Sequence, residues 1–202
     1  MVANVLAEFD AIDILINNAG IGMRQPFVEM PLDTIEEIMR TNYFGTVYCT
    51  HEILPSMIAR GRGHIVNISS VAGHIGTMNM AAYCGSKFAL NGLSESLYHE
   101  LKPLGIDVSV ICPGPVKTAF NRAFANTAPK SPGSLMITAQ SVSQTVIRAI
   151  EKKQFEVIMP RTIAVMCAFK RFMPGLFRAI AYRIFRSYAV ADLRLSKERK
   201  KT

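Results

Sequence analysis

Tyr83-Cys84-Gly85-Ser86-Lys87 is the stretch with the clearest potential for chemistry. On a helix, positions i and i+4 share a face, so the phenol and the ammonium are neighbours. A phenol with a pKa of about 10 is a poor base at neutral pH. A nearby ammonium stabilises the phenolate and lowers that value. A tyrosine tuned in this way can give a proton to a carbonyl oxygen or take one from an alcohol. Ser70 stands thirteen residues earlier, where its hydroxyl can hold the same oxygen. Each feature has a plainer reading. Tyr–Lys pairs at this spacing are common on helices, and Ser69-Ser70 also suits a strand-to-loop turn whose hydroxyls satisfy the backbone. Asn42 lies inside a helical stretch, where an amide competes for backbone hydrogen bonds. It either faces solvent or bridges to water in a cleft. Asn17-Asn18-Ala19-Gly20 is either a simple turn or a small-residue lining that lets a flat ligand reach the backbone. Pro113-Gly114-Pro115-Val116-Lys117-Thr118 either only ends a strand or presents backbone to a polar ligand group.

These residues need elements to hold them. Ile12–Ile16, His64–Ser69, Ile106–Cys112 and Phe155–Met159 are short apolar runs bounded by turn residues, and they read as buried strands. A helix is expected from Asp33, an N-cap that Glu36 could answer, towards Pro55 and Met57. A second runs from about Met80 to Leu101 and stops at Pro103 and Gly105. A third begins at a capping Ser141 and ends near Lys153, and residues 119–140 look irregular. Strand–helix–strand alternation at this spacing implies βαβ units and a parallel sheet with helices on both faces. Ligands in such open sheets sit beyond the carboxyl ends of the strands. Asn17–Gly20, Ser69-Ser70 and Pro113-Gly114 all fall there, so they should converge on one cleft.

The chain has 202 residues, half of them apolar, which suits one sizeable core. Cys49, Cys84, Cys112 and Cys167 form no CxxC pair, and no histidine sits beside them at ligand spacing. They read as small buried hydrophobes in a reducing compartment, with no metal expected. Met1-Val2-Ala3-Asn4 lacks a basic start, and Glu8 and Asp10 interrupt any apolar stretch, so a cytoplasmic setting is expected. Residues 161–202 carry 11 of the 23 basic residues and 2 of the 15 acidic ones. The positive field thus belongs to the tail, which argues against a nucleic-acid-binding surface. Two regions follow: a catalytic-type domain over 1–160 and a basic extension over 161–202.

NNAG after one strand, Asn in the next helix, Ser-Ser after the next strand, YxxxK on the next helix and PGxxxT after the next strand occur in a single order. In this the sequence resembles the short-chain dehydrogenase/reductase family over roughly residues 5–160. The resemblance implies a Rossmann-like α/β fold and NADP- or NAD-dependent hydride transfer, NADP being preferred, between a carbonyl and a secondary alcohol. It implies Tyr83 as acid/base, and Lys87 as the residue that lowers the Tyr83 pKa and binds the nicotinamide ribose. Ser70 would polarise the carbonyl, and Asn42 would hold a water that extends the proton relay. Asn18, Ala19 and Gly20 would line the cofactor, with Pro113, Val116 and Thr118 at its nicotinamide end. Residues 119–140 would be a mobile substrate loop. A homodimer or homotetramer is also implied.

One departure stands out. The family's first strands and its TGxxxGxG turn, which cradles pyrophosphate at a helix N-terminus, have no counterpart here. The strand at 12–16 should then be a bare apolar edge, and dinucleotide binding by this chain should be weak. A catalytically silent chain acting through dimerisation or a membrane surface is the alternative reading. In the tail, Leu176, Phe177, Ile180, Ala181, Ile184, Phe185 and Tyr188 share a helical face flanked by arginines. This fits either an interfacial helix on an anionic membrane or a helix packed over the cleft or a subunit partner. Membrane contact would favour a hydrophobic substrate.

Overall fold

The computed structural model describes residues 2–118, 120 and 136–199, with 187–199 as backbone. A short helix, α1 (Val2–Glu8), leads into strand β1 (Ile14–Asn17). Then follow α2 (Leu32–Met39), a π turn (Arg40–Phe44) and α3 (Gly45–Arg60). β2 (Gly63–Ile68), α4 (Ala81–Leu101) and β3 (Ile106–Pro113) come next. Two-residue strands β4 (Val116–Lys117) and β5 (Ile137–Thr138) pair with each other. α5 (Ala139–Glu151), β6 (Glu156–Met159), α6 (Arg161–Phe172) and α7 (Pro174–Arg199) complete the order. The main sheet is parallel throughout, in the order β1-β2-β3-β6.

The expected α/β architecture is therefore present, and its core follows the period of the strands. Ile65, Ile106 and Val108 pack with Ile53, Met57 and Leu101 on the α3/α4 side. Val66 and Ile111 point the other way, onto Val146 and Ala149 of α5. Successive strand residues face opposite sides, so both faces are covered and the runs read as nearly all apolar. β3 is buried along its whole length. β1 is different: Ile14 and Ile16 are 45% and 47% exposed, and only β2 pairs with it among the described residues. The expected bare edge is visible there.

Two helix starts differ from expectation. Asp33 is not the cap of α2. Pro31, at φ −60°, sets the chain for a helix that begins at Leu32, and Asp33 sits in the first turn. There its carboxylate accepts from the Thr34 N–H at 2.6 Å, close to the positive helix end. Nor is Ser141 the cap of α5. β5 runs straight into that helix, and the Thr138 hydroxyl accepts from the Ser141 N–H at 3.1 Å. α1, β4 and β5 had no clear sequence signal, being too short for one. Residues 119 and 121–135, most of the expected loop, lie outside the described residues.

The turns entering β2 and β3 touch each other. Gly61 and Gly105 both have positive φ, 61° and 77°. A Cβ on Gly105 would lie 2.3 Å from the Gly61 carbonyl oxygen. Gly105→Ala should lower the unfolding free energy by more than about 1 kcal/mol, since the backbone angle and the clash both oppose it. Gly76→Ala, into open space, should change it by under about 0.5 kcal/mol. Denaturant midpoints of the two variants check this.

Candidate active site

The carboxyl ends of β1, β2 and β3 open on one cleft of about 1610 Å³. Asn18, Ala19, Gly20, Ser70, Tyr83, Lys87, Pro113, Val116 and Thr118 all line it. Its volume exceeds the roughly 300–1,000 Å³ usual for one small ligand. The three turns named from sequence do converge.

Tyr83 and Lys87 lie one turn apart on α4, both buried. The Lys87 ammonium donates to the Ile68 carbonyl at 2.9 Å and lies 5.8 Å from the centre of the Tyr83 ring. Ile68 ends β2, so the strand terminus holds the charge under the phenol. Ser70 follows two residues later and caps a short 3-10 turn, Val71–Gly73. Its Oγ accepts from the Ala72 N–H at 3.1 Å and contacts the Pro113 carbonyl at 3.4 Å. This hydroxyl therefore serves both as a turn former and as a cleft group: it also hydrogen-bonds Tyr83.

The electrostatics correct one expectation. Burial pushes the Tyr83 phenol up to about 12, opposed by the Ser70 hydrogen bond. Burial likewise pulls the Lys87 ammonium down to about 8. Desolvation penalises the charged form of each group and is the largest cause of both shifts. The Tyr–Lys pair thus stands with its phenol firmly protonated, not with a lowered pKa.

Asn42 does not face solvent, and its side-chain amide is engaged by protein groups. It is fully buried in the π turn. Its Oδ1 accepts from the Ile21 N–H at 2.8 Å, while Nδ2 donates to the Ile21 carbonyl and the Ser86 hydroxyl, each at 2.9 Å. The side chain is a clamp between the β1 turn and α4. Ser86, inside the YxxxK stretch, is its anchor, and its hydroxyl donates a hydrogen bond to the Tyr83 carbonyl at 2.8 Å.

Sequence reasoning passed over a second polar thread. Asn17 Nδ2 donates to Asn67 Oδ1 at 2.9 Å and contacts Thr50 Oγ1 at 3.3 Å. Asn67 Nδ2 donates to Ser94 Oγ at 2.9 Å. The clue was available, because Asn67 interrupts the apolar run of β2. Space also brings together what spacing kept apart: Cys112, next to Pro113 in β3, lies close to His74 and Glu156.

The cleft lining suits a flat, hydroxyl-bearing cofactor. A Cβ on Gly20 would lie 3.3 Å from Asn42 Oδ1 and 3.6 Å from Lys87 Nζ. Without one, the backbone closes down beside the ammonium and leaves a smooth wall. Ile68 O is the acceptor the ammonium meets among the described residues, and an ammonium has three donors. Donors remain for ligand hydroxyls.

Comparison with known proteins agrees with this geometry. Residues 1–129 match the family model of the short chain dehydrogenases. Dehydrogenase/reductase SDR family member 7B of Xenopus tropicalis is 37% identical over 94% of this chain and 60% of its own length. Ketoacyl reductase HetN of a Nostoc species is 40% identical over 73% of this chain and 51% of its own. The chain therefore spans about half to three-fifths of the length of these relatives. A short chain dehydrogenase of Burkholderia cenocepacia, solved with NADP, superposes with a TM-score of 0.77 at 28% identity, covering 89% of this chain and 73% of that one. One from Sphingobium yanoikuyae, solved with NADPH, gives 0.70 at 28% identity over 86% and 69%.

The buried ammonium makes a stability prediction. Below about pH 8 Lys87 is charged in folded and unfolded chains alike, and the folded state bears the full desolvation cost. Between about 8 and 10.5 the unfolded chain keeps a proton that the folded chain has shed, so stability gains as pH rises. Lys87→Met should lack that gain. Unfolding free energies of the two proteins measured across this window should therefore diverge in favour of the wild type. Parallel curves would contradict the assigned burial.

Proposed function

Since the chain belongs to the short-chain dehydrogenase family, we propose that it is an NAD(P)-dependent oxidoreductase that interconverts a carbonyl and a secondary alcohol. The observation that carries this reading is the junction of Tyr83, Lys87 and Ser70 in one cleft with the small-residue turn at Asn18-Ala19-Gly20. Lys87 and that turn would hold the cofactor's ribose, and Pro113, Val116 and Thr118 its nicotinamide end. When bound, the cofactor supplies or accepts a hydride, which no side chain can do.

The chain's own residues then position and protonate. Ser70 donates a hydrogen bond to the substrate carbonyl and fixes its oxygen next to the Tyr83 hydroxyl. Tyr83, protonated at neutral pH like any phenol and held further from ionisation by burial, releases its proton to that oxygen as negative charge develops there. This state of the phenol suits carbonyl reduction. In the oxidative direction Tyr83 must first lose its proton, and the Lys87 charge lowers the cost of doing so. Asn42 acts as a positioning residue, because its amide bonds are spent on Ile21 and Ser86. NADP is the preferred dinucleotide in this reading, in keeping with the two NADP(H)-bound relatives. Exposed Phe44 and Tyr48, stacked at 6.1 Å, give the π turn and α3 an apolar face suited to a homodimer or homotetramer.

A second element of the reading concerns the basic extension. Phe177, Ala181 and Phe185 are half-buried, while Phe172, Leu176, Ile180 and Ile184 stay exposed among Lys170, Arg171, Arg178 and Arg183. We propose that this face rests on anionic lipid next to the cleft, where Met166 of α6 forms part of the lining. A hydrophobic ketone or alcohol is the corresponding substrate class. None of the described helices is long and apolar enough to cross a membrane.

Two measurements test these proposals. Tyr83→Phe should lower NADPH-dependent reduction of hydrophobic ketones by about 10²–10⁴-fold, and unchanged turnover would refute the acid assignment. The chain should co-sediment with anionic vesicles at low salt, and Arg178→Glu with Arg183→Glu should weaken this several-fold. Absence from the lipid pellet at every ionic strength removes the membrane element and leaves the chemistry standing.

A further inference from the structure

Behind the cleft, three residues from three elements meet. His74 closes the 3-10 turn that Ser70 opens, Cys112 is the penultimate residue of β3, and Glu156 begins β6. Their ligand atoms all lie within 4.8 Å of one another. His74 Nε2 stands 3.4 Å from Glu156 Oε1. Two ligands held at about 2.0–2.1 Å by a tetrahedral zinc ion are roughly 3.3–3.4 Å apart, so this pair is already at coordination spacing. Asn91 adds an oxygen, its Oδ1 lying 3.9 Å from Cys112 Sγ.

We infer that His74, Cys112 and Glu156 form a binding site for a borderline-soft divalent cation of the zinc class, with Asn91 or water as the fourth donor. Thiolate, imidazole and carboxylate together select zinc over magnesium or calcium, which prefer all-oxygen shells. Entry is from the His74 and Glu156 side, since these are 24% and 40% exposed and Cys112 is fully buried. The Asn91 amide, 3.2 Å from His74 Nε2, gives way as the metal arrives. The Cys112 S–H bond breaks, sulfur keeps the electron pair for the metal, and the proton leaves to solvent. Lys170, held on the His74 carbonyl, is a positive neighbour that limits the affinity. Once bound, the ion ties β3 and β6 to the turn that carries Ser70. Cys112 precedes Pro113 of the cleft and is an electrostatic neighbour of Tyr83 and Lys87, but the cation proposal rests on its own three ligands and not on the hydride-transfer reading.

Cobalt(II) titration of the full chain tests it. A saturable near-ultraviolet thiolate-to-cobalt band is expected, together with intense visible bands of tetrahedral geometry, and zinc should displace both. Cys112→Ser should remove the near-ultraviolet band, although Cys49, Cys84 and Cys167 remain. Glu156→Gln, a near-isosteric change at a partly exposed position that leaves the core intact, should weaken cobalt binding by at least about ten-fold. The inference is overturned if no charge-transfer band forms, if the band survives in folded Cys112→Ser, or if Glu156→Gln binds cobalt as tightly as the wild type.

Discussion

The hydrogen bonds of one buried amide underlie the shape of the cleft. Asn42 grips the backbone of Ile21 from both sides and reaches across to Ser86. It thereby joins three stretches remote in sequence: the turn after β1, the π turn and the helix bearing Tyr83 and Lys87. An amide suits this task, since it offers an acceptor and two donors in one plane. A carboxylate would repel the Ile21 carbonyl, and an aliphatic side chain would leave buried backbone groups without partners, at about 1–3 kcal/mol each. With the clamp set, Gly20 stands where an added Cβ would come within 3.6 Å of the Lys87 ammonium.

The same enclosure governs the proton chemistry. A phenol and an ammonium taken out of water both resist charging, so α4 carries an acid held in reserve next to a cation under strain. The buried charge of Lys87 is unfavourable for folding, while Tyr83 is buried in its neutral form. Each is maintained by bonds made elsewhere: Ile68 supports the ammonium, Ser70 meets the phenol, and the packed faces of β2 and β3 support both. A site of this kind concentrates cost in a few residues and spreads its support over the core, as functional sites commonly do.

Much of this was legible beforehand, and the reasons are specific. Short, nearly continuous apolar runs and the turn residues after them marked the sheet, because both faces of a parallel sheet must be apolar and its strands must end in breakers. That put Asn18, Ser70 and Pro113 on a common edge. Helical spacing put Tyr83 over Lys87. What stayed hidden depends on partners distant in sequence. The clamp of Asn42 needs Ile21 and Ser86, and only the folded chain shows that they meet it. The direction of the Tyr83 shift needs a burial depth that no spacing reports. Helix starts moved where Pro31 and Thr138 set the chain earlier than Asp33 and Ser141 would have. The meeting of His74, Cys112 and Glu156 arises from three separate connections and leaves no motif.

The π turn at Arg40–Phe44 has an implication for how this fold can vary. A widened turn holds an extra residue relative to an α-helix, so the helices before and after it are out of phase by about 100°. The apolar stripe of α2 and that of α3 can therefore each face the body of the protein only while the added residue is kept. Losing any one residue between 40 and 44 would restore a regular helix and realign the stripes wrongly, swinging Asn42 away from Ile21. Chain length in this segment is thus under a stricter constraint than residue identity, and a one-residue gap here would be more damaging than several substitutions along the surface of the same helix.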